Sequence, residues 1–231
     1  RCTVSHLMVK AAALCLEHCP QANSILRFNR LYERKHVGVF SHVALTADGA
    51  DKVDLTGFTI HEAETKSLQE IATEFEEHLA VARARMDTPV ERGRQTFRWI
   101  PAPLLNTFLD ALSFLGYTLN LDLSPFGMPR DPFGSIMITN LGTLGLDEAY
   151  VPLVPYTRVP LYVALGAVKE KPVAEDGQVV VRRRLRCQVT FDHRCIDGVH
   201  IAGLCRKLLD IFEDPEGHFG TPTFLENAKN T

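Results

Sequence analysis

The apolar and polar positions of this chain follow two periods, which predict both helices and strands. Apolar residues recur three and four positions apart in segments that predict helices at about 3–19, 67–85, 104–115 and 198–213. Runs rich in β-branched and aromatic residues predict strands at 25–28, 31–32, 37–45, 134–140, 161–168 and 178–186, and the last of these leads through Cys187 to Phe191. Asp48–Gly49 and Asp176–Gly177 are turn signals, and the second predicts a hairpin between the last two strands.

Polar residues and proline mark the ends of the first two predicted helices. Thr3 and Ser5 are candidate caps for the first helix, and Pro20 ends it. Ser67 and Glu70 have the spacing of a capping box, in which each side chain bonds to the backbone N–H of the other residue. We therefore expect the second helix to begin directly after Ser67.

The composition fits one globular domain and excludes several kinds of partner. With 231 residues and 45% hydrophobic content, the chain is long enough to bury one large core. The net charge of −3 leaves no dominant basic surface, which argues against a nucleic-acid partner. The sequence contains neither an apolar run long enough for a transmembrane helix nor a signal peptide, so we expect a cytoplasmic protein.

The six cysteines show no C-x-x-C spacing. Cys15 and Cys19 share one face of the first predicted helix, so they are either metal ligands or core residues. Because free cysteine commonly behaves as a small apolar residue, we favour the core interpretation and predict no metal site. We expect the thiols to be reduced, as they are in a cytosol.

Residues 189–203 place a histidine where a strand passes into a helix. Val189–Phe191 end the predicted strand, and the helix follows Gly198, whose backbone freedom suits a sharp turn. Histidine titrates near neutral pH, so His193 is suited to take a proton from a thiol or hydroxyl and to return it. The alternative is that His193 is a buried structural residue and that Asp197 only caps the helix. The short H-x-x-x-D-G pattern by itself allows both interpretations.

Longer blocks around this motif resemble one enzyme family. The segment D-H-R-C-I-D-G at 192–198, followed by a helix that ends at Phe212–Pro215, resembles the catalytic domain of the dihydrolipoamide acyltransferases. These proteins are the core components of the 2-oxo acid dehydrogenase complexes. The strand and loop G-S-I-M-I-T-N-L-G at 134–142 and the segment G-A-V-K-E-K-P at 166–172 are similar to further blocks of that family.

This resemblance implies a fold class, an oligomeric state and the roles of three residues. The fold would be α/β, a chloramphenicol acetyltransferase-like mixed sheet flanked by helices, in a homotrimer whose site spans two subunits. His193 would be the general base, Thr139 the hydrogen-bond donor to the oxyanion, and Asp197 the residue that holds the loop around the histidine. Asn140 and Arg194 also match the motifs, but we expect structural roles for them. Without its neighbouring block, Thr139 alone would be interpreted as a β-branched residue that fills a strand.

The chain departs from the family pattern at two places near the site. The family's first helix and strand would precede Arg1, together with the arginine that pairs with the motif aspartate, so we assign no partner to Asp197. Gly49–Asp54 replaces an apolar segment that lines the thiol channel in the family. The residues that would bind a cofactor are therefore not assigned.

A third departure is an insertion at about 88–132 within a single acyltransferase catalytic domain at 1–231. It is rich in proline and apolar residues, and it contains the predicted helix at 104–115. A helix that is apolar on most sides is usually buried, which favours packing on the same domain or on the next subunit. The alternatives are a docking surface for another protein, through about 90–131, or a membrane interface.

The implied reaction moves an acyl group between coenzyme A and a thiol acceptor such as dihydrolipoamide. Coenzyme A would be a substrate, and the lipoyl group would come from another domain or protein, because the sequence shows no lipoyl domain. The alternative function is a catalytically inactive trimeric scaffold of a 2-oxo acid dehydrogenase-type complex, with the insertion and the changed 49–54 segment in its favour. A weaker alternative is an amide-forming condensation domain, but those domains usually carry a second histidine where this chain has Asp192.

Overall fold

The computed structural model describes residues 2–46, 53–83, 101–126 and 129–220. Its helices are α1 (Val4–His18), α2 (Leu68–Arg83), α3 (Ala102–Ser113), α4 (Gly198–Glu213) and α5 (Pro215–Phe219). Its strands are β1 (Ser24–Arg27), β2 (Arg30–Glu33), β3 (Val39–Thr46), β4 (Val53–Ile60), β5 (Ile136–Asn140), β6 (Leu161–Leu165), β7 (Lys169–Glu175), β8 (Gln178–Arg184) and β9 (Cys187–Phe191). The four predicted helices are present, whereas β4 and β7 are absent from the predicted strands.

Within the described residues, the main sheet has five strands in the order β4-β3-β5-β6-β9. β3, β5 and β6 run parallel to one another, whereas β4 and β9 at the two edges run antiparallel to their neighbours. The register places Val39, Ile136, Leu161 and Phe191 in one row across the sheet. This mixed sheet and its flanking helices confirm the predicted α/β fold class.

The main core lies between one face of this sheet and the helices α1, α2 and α4. Alternate strand residues such as Val39, Ile138 and Val163 belong to this core, because successive side chains of a strand point to opposite faces. Ile211 of α4 packs with them and is fully buried. Cys15 of α1 is also part of this core, as the sequence predicted, with 6% of its surface exposed.

A smaller core covers the opposite face of the sheet. Phe40, Met137 and Tyr162 come from three adjacent strands at the same level, and Phe133 and Leu153 pack against them from the flanking loops. Two positions further along β3 and β5, the same face carries the polar residues His42 and Thr139. The candidate site described below lies on that part of the sheet.

The capping box predicted at the start of the second helix is confirmed. The backbone N–H of Glu70 donates to the Ser67 hydroxyl at 3.2 Å, and the backbone N–H of Ser67 donates to the Glu70 carboxylate at 2.7 Å. These bonds satisfy N–H groups that have no partner within the helix itself. The helix start could be predicted because every group involved is local in sequence.

The predicted hairpin around Asp176–Gly177 needs a correction. The turn is present, but it joins β7 to β8, whereas the strand predicted at 161–168 ends at Leu165 as β6. The strand predicted at 178–186 is present as β8 and ends at Arg184. The residues that lead from it to the motif form β9, which pairs with β6 in the main sheet. Strand propensity is similar on both sides of these breaks, and the choice of partner is made by tertiary contacts such as the bond from Gly166 N–H to the Arg186 carbonyl at 2.8 Å.

The apolar helix predicted at 104–115 is present as α3, and Phe114–Thr118 continues it as a π-helical turn. Leu104 and Phe114 are 57% and 46% exposed in the single chain. The helix is therefore only partly covered by its own domain. A contact with another subunit or protein at this helix stays a prediction, and residues 88–100 and 127–128 of the insertion lie outside the described residues.

No helix in the described part of the chain combines the length and the apolar character needed to cross a bilayer.

Candidate active site

His193 lies in the turn that joins β9 to α4, and Asp192 holds this turn. The Asp192 carboxylate accepts hydrogen bonds from the backbone N–H and the guanidinium of Arg194 at distances of 2.7–3.1 Å. The backbone carbonyl of Asp192 accepts the N–H of Ile196 at 3.2 Å, and Ile196 is buried in the main core. His193 itself is exposed, with its ring 5.8 Å from that of Phe191. The burial that the structural alternative requires is therefore not found in the single chain.

Asp197 caps the N-terminus of α4. Its carboxylate accepts the backbone N–H groups of Val199 and His200 at 2.9 and 3.1 Å, and the His200 imidazole lies 2.7 Å from the same oxygen. The backbone hydrogen bond from His200, followed by the bond from its side chain, lowers the pKa of the Asp197 carboxyl below its ordinary value. In the single chain, Asp197 therefore fixes the first turn of the helix that follows the histidine.

Thr139 lies near the end of β5 and is half-buried. It is in register with His42 of β3 and with Ala164 of β6. It shares the face of Met137, which belongs to the smaller core, and not the face that α1, α2 and α4 cover. Among the described residues, its hydroxyl has no hydrogen-bond partner within the protein, so its proton is available to another group.

The sheet register separates His193 from Thr139 within one chain. Phe191 at the end of β9 is level with Ile136 of β5, three residues before Thr139 and two strands away. With about 3.3 Å per residue along a strand and about 4.8 Å between strands, the Cα atoms of Phe191 and Thr139 are about 14 Å apart. His193 follows beyond the end of β9. The two side chains of one chain therefore do not reach each other.

Two further polar side chains lie in the same row of the sheet as Thr139, and the sequence did not single them out. His42 is on the adjacent strand β3, and Gln188 of β9 is in register with Ala164. The amide nitrogen and oxygen of Gln188 are buried without a partner among the described residues. The indication of them in the sequence was weak. Both residues occupy polar positions in strands where apolar and polar residues alternate, and such positions are commonly solvent-exposed.

The structural roles predicted for Asn140 and Arg194 agree with their contacts. The Asn140 side chain donates to the hydroxyl of Ser5 at 3.0 Å and accepts the N–H of Gly142 at 3.1 Å. It therefore ties the end of β5 to the start of α1. Arg194 is engaged with Asp192 in the turn around the histidine.

Among the described residues, we assign no binding site for coenzyme A or for a metal. Residues 49–52 of the Gly49–Asp54 segment lie outside the described residues, so its effect on a substrate channel stays a prediction. Within the described ranges, no group of three or more His, Cys, Asp or Glu side chains is placed to hold a metal ion.

Residues 133–219 match the family model for the catalytic domain of the 2-oxoacid dehydrogenases acyltransferases. This segment contains Thr139, His193 and Asp197. The chain is 36% identical over 84 residues to the dihydrolipoyllysine-residue succinyltransferase component of the 2-oxoglutarate dehydrogenase complex of Haemophilus influenzae, which is 36% of this chain and 20% of that protein. The match to the dihydrolipoyllysine-residue acetyltransferase component of the acetoin cleaving system of Bacillus subtilis is longer, at 25% identity over 215 residues.

That longer match covers 92% of this chain and 42% of the Bacillus subtilis protein, so the chain spans less than half of the length of these curated relatives. Among solved structures, the chain is similar to the dihydrolipoamide acetyltransferase of Azotobacter vinelandii, with a TM-score of 0.64 and 23% identity. The similarity covers 94% of this chain and 70% of that one. It shows a shared fold that includes the sheet and the helix-covered core described above.

Proposed function

We propose that this chain, whose residues 133–219 match the family model for the acyltransferase catalytic domain of the 2-oxo acid dehydrogenase complexes, transfers an acyl group between coenzyme A and a thiol acceptor such as dihydrolipoamide. The observation that carries the proposal is the exposed imidazole of His193, held at the strand–helix turn by the hydrogen bonds of Asp192. A reachable side chain on a rigid support is what proton transfer requires. We treat residues 1–231 as one catalytic domain.

The proposed chemistry uses His193 as the general base. A thiol has a pKa of about 8.5 and is mostly protonated at neutral pH, so the imidazole takes its proton as the sulfur attacks the thioester carbonyl. The carbonyl oxygen becomes an oxyanion, and the Thr139 hydroxyl donates a hydrogen bond to it. When the tetrahedral intermediate collapses, the second sulfur leaves and receives the proton back from His193. The acyl group has then moved from one thiol to the other.

The residue types and their spacing support these roles. The Azotobacter vinelandii enzyme has a serine, a histidine and an asparagine that were investigated for roles in its catalytic mechanism, and its histidine and asparagine are four residues apart. His193 and Asp197 have the same spacing, with an aspartate in place of the asparagine. Thr139 supplies a hydroxyl, as serine does. The aspartate accepts backbone N–H groups, so its proposed role is to hold the turn, not to exchange protons.

The proposal requires two copies of the chain. Because His193 and Thr139 of one chain are too far apart, the histidine of one copy must meet the hydroxyl of another, which supports the proposed homotrimer. The lipoyl group is proposed to arrive on another domain or protein, and coenzyme A to bind as the second substrate. A protein contact through 90–131 stays a prediction, supported by the exposed apolar residues of α3.

The first test is the transfer of an acyl group from acyl-coenzyme A to dihydrolipoamide. His193→Ala is expected to lower the rate at least about 100-fold, since a positioned general base typically contributes a factor of that size or more. His78→Ala is the matched control, because His78 is also a partly exposed histidine beside a phenylalanine, stacked 4.7 Å from Phe58. It is expected to keep most of the rate. If His193→Ala and the native protein show the same rate, the proposed chemistry is wrong and the inactive-scaffold alternative is favoured.

A further inference from the structure

We propose that His42 is a positioning residue for Thr139, holding the threonine hydroxyl so that its proton faces the substrate oxyanion. This inference rests on the proposed function for its catalytic meaning. The proposed hydrogen bond between the two side chains can be tested independently of that function. His42 lies outside the segment that matches the acyltransferase family model.

The sheet register places the two residues side by side. β3 and β5 are parallel neighbours, and His42 is the partner of Thr139 in that pairing. Adjacent strands are about 4.8 Å apart, and in-register residues point to the same face of the sheet. A histidine side chain can therefore bring a ring nitrogen within hydrogen-bonding distance of the hydroxyl on the next strand.

The aromatic ring of Phe40 fixes the face on which His42 lies. The Phe40 and His42 rings meet edge to face, with centroids 4.9 Å apart. Phe40 belongs to the smaller core with Met137, which is two residues before Thr139 on β5. His42 and Thr139 therefore share this face, and the ring contact limits the orientations of the imidazole.

The other neighbours in the row offer no competing side-chain partner. Gly57 of β4 lies on the far side of His42, and Ala164 of β6 lies on the far side of Thr139. Both are small and offer no side-chain hydrogen bond. Neither the His42 imidazole nor the Thr139 hydroxyl has a hydrogen-bond partner among the described residues, so each is available to the other.

The surroundings of His42 favour its neutral form. Burial lowers the pKa of His42 below the ordinary value for histidine. Its register partners are Thr139 on β5 and Gly57 on β4, and its ring packs against Phe40 on its own strand. None of these three residues is charged. A neutral imidazole carries one N–H, which donates to the threonine oxygen and leaves the threonine proton for the substrate.

The kinetic test is a double-mutant cycle in the acyl-transfer assay. His42→Ala is expected to lower kcat about tenfold with little change in KM, because a misplaced oxyanion donor weakens only the transition state. In a Thr139→Ala background, the same change is expected to have no further effect, because His42 acts through the hydroxyl. Either His42→Gln or His42→Asn, which keep an N–H donor at one of the two ring-nitrogen positions, is expected to recover most of the rate. The inference would be overturned if His42→Ala lowered kcat equally in the native and the Thr139→Ala backgrounds. It would also be overturned if neither His42→Gln nor His42→Asn recovered the rate.

The second test needs no activity. Thr139→Val keeps the shape of the side chain but removes the hydroxyl, and NMR of histidine ring signals then reports the contact. The signals of His42 are expected to shift, whereas those of His78, on the opposite side of the sheet, are expected to stay unchanged. Unchanged His42 signals would overturn this inference even if the transfer reaction proceeds. Shifted His42 signals in a protein without transfer activity would support the contact and count against the proposed function alone.

Discussion

At the residue scale, the turn at 192–197 contains two carboxylates that are kept ionised by different donors. The guanidinium of Arg194 lowers the pKa of Asp192, and the hydrogen bonds from His200 lower the pKa of Asp197. An ionised carboxylate that already accepts N–H groups acts as a structural acceptor. The exposed imidazole between them, on His193, is then the group in this turn suited to move a proton.

The lowered pKa of Asp197 predicts a loss of stability in acid. Because the folded pKa lies below the unfolded value of about 3.9, the stabilisation by this carboxylate is complete above that value and is lost as the pH falls through the folded pKa. Asp197→Asn keeps a capping side chain but cannot titrate, so the difference in Tm between the native protein and this variant is expected to shrink from pH 5 to pH 2.

Thermal unfolding monitored by circular dichroism at several pH values measures this difference. Asp197→Ala removes the cap altogether and serves as the comparison, with a lower Tm than the native protein at pH 7. A difference between the native protein and Asp197→Asn that stays constant across the acid range would contradict the prediction.

At the scale of elements, the pairing of β3 with β5 depends on a close backbone approach just before the two strands. The N–H of Ser135 donates to the Gly38 carbonyl at 2.8 Å, and Gly134 has a φ of 62°. A Cβ atom at Gly134 would lie 2.7 Å from the Gly38 Cα, closer than such atoms can approach. The register that brings His42 beside Thr139 therefore begins at this glycine contact.

We expect Gly134→Ala to destabilise the protein by about 3 kcal/mol or more, because it combines a left-handed backbone with a clash against the neighbouring strand. Gly177→Ala is the matched control, since Gly177 also has a positive φ of 75° but has open space where the Cβ would be. It should cost only about 1 kcal/mol.

Chemical denaturation of both variants gives the two free energies of unfolding. Equal losses for the two glycines would show that backbone conformation alone, and not the approach of β3 to β5, accounts for the effect.

At the scale of the whole molecule, the direction of the strands decides how far apart His193 and Thr139 lie. β9 is antiparallel to β6, so it carries the chain away from the level of Thr139 before His193 is reached. For the proposed reaction, a complete site therefore needs a second chain. A closed symmetric oligomer satisfies this need for every copy at once, because each chain donates one residue and receives the other.

Mixing two inactive variants tests this arrangement. Thr139→Ala and His193→Ala chains are each expected to show little transfer, but co-expressed in equal amounts they should recover about a quarter of the native rate, because random pairing gives that fraction of intact interfaces. Native mass measurement should give three times the 25.8 kDa of one chain.

If mass measurement verifies that the oligomers contain both variants and the transfer rate still does not recover, a site shared between copies is contradicted. Recovery of the rate requires that the two variants assemble into mixed oligomers. Co-expression of a tagged and an untagged native chain is the control that shows such mixing.

Local features of the fold and of the candidate site could be predicted from the sequence, because the groups that bond to each other are close in the chain. Ser67 and Glu70 form their capping box within one turn, and Asp197 caps α4 through groups two and three residues ahead. The histidine at the strand–helix junction followed from β propensity before Gly198 and helical spacing after it. β4 was not predicted because Asp54 and Gly57 have low strand propensity. Its long pairing with β3 outweighs that low propensity in the folded protein.

By itself, the sequence determined the helices, the turn that holds His193 and the family resemblance of the blocks around Thr139 and His193, because short-range hydrogen bonds and side-chain periodicity are properties of neighbouring residues. Only the tertiary structure decided that His42 lies beside Thr139 and that His193 of the same chain is beyond reach. Both facts depend on the order, direction and register of strands that are far apart in sequence. Those are set by how the whole sheet packs against its helices, and no local pattern encodes them.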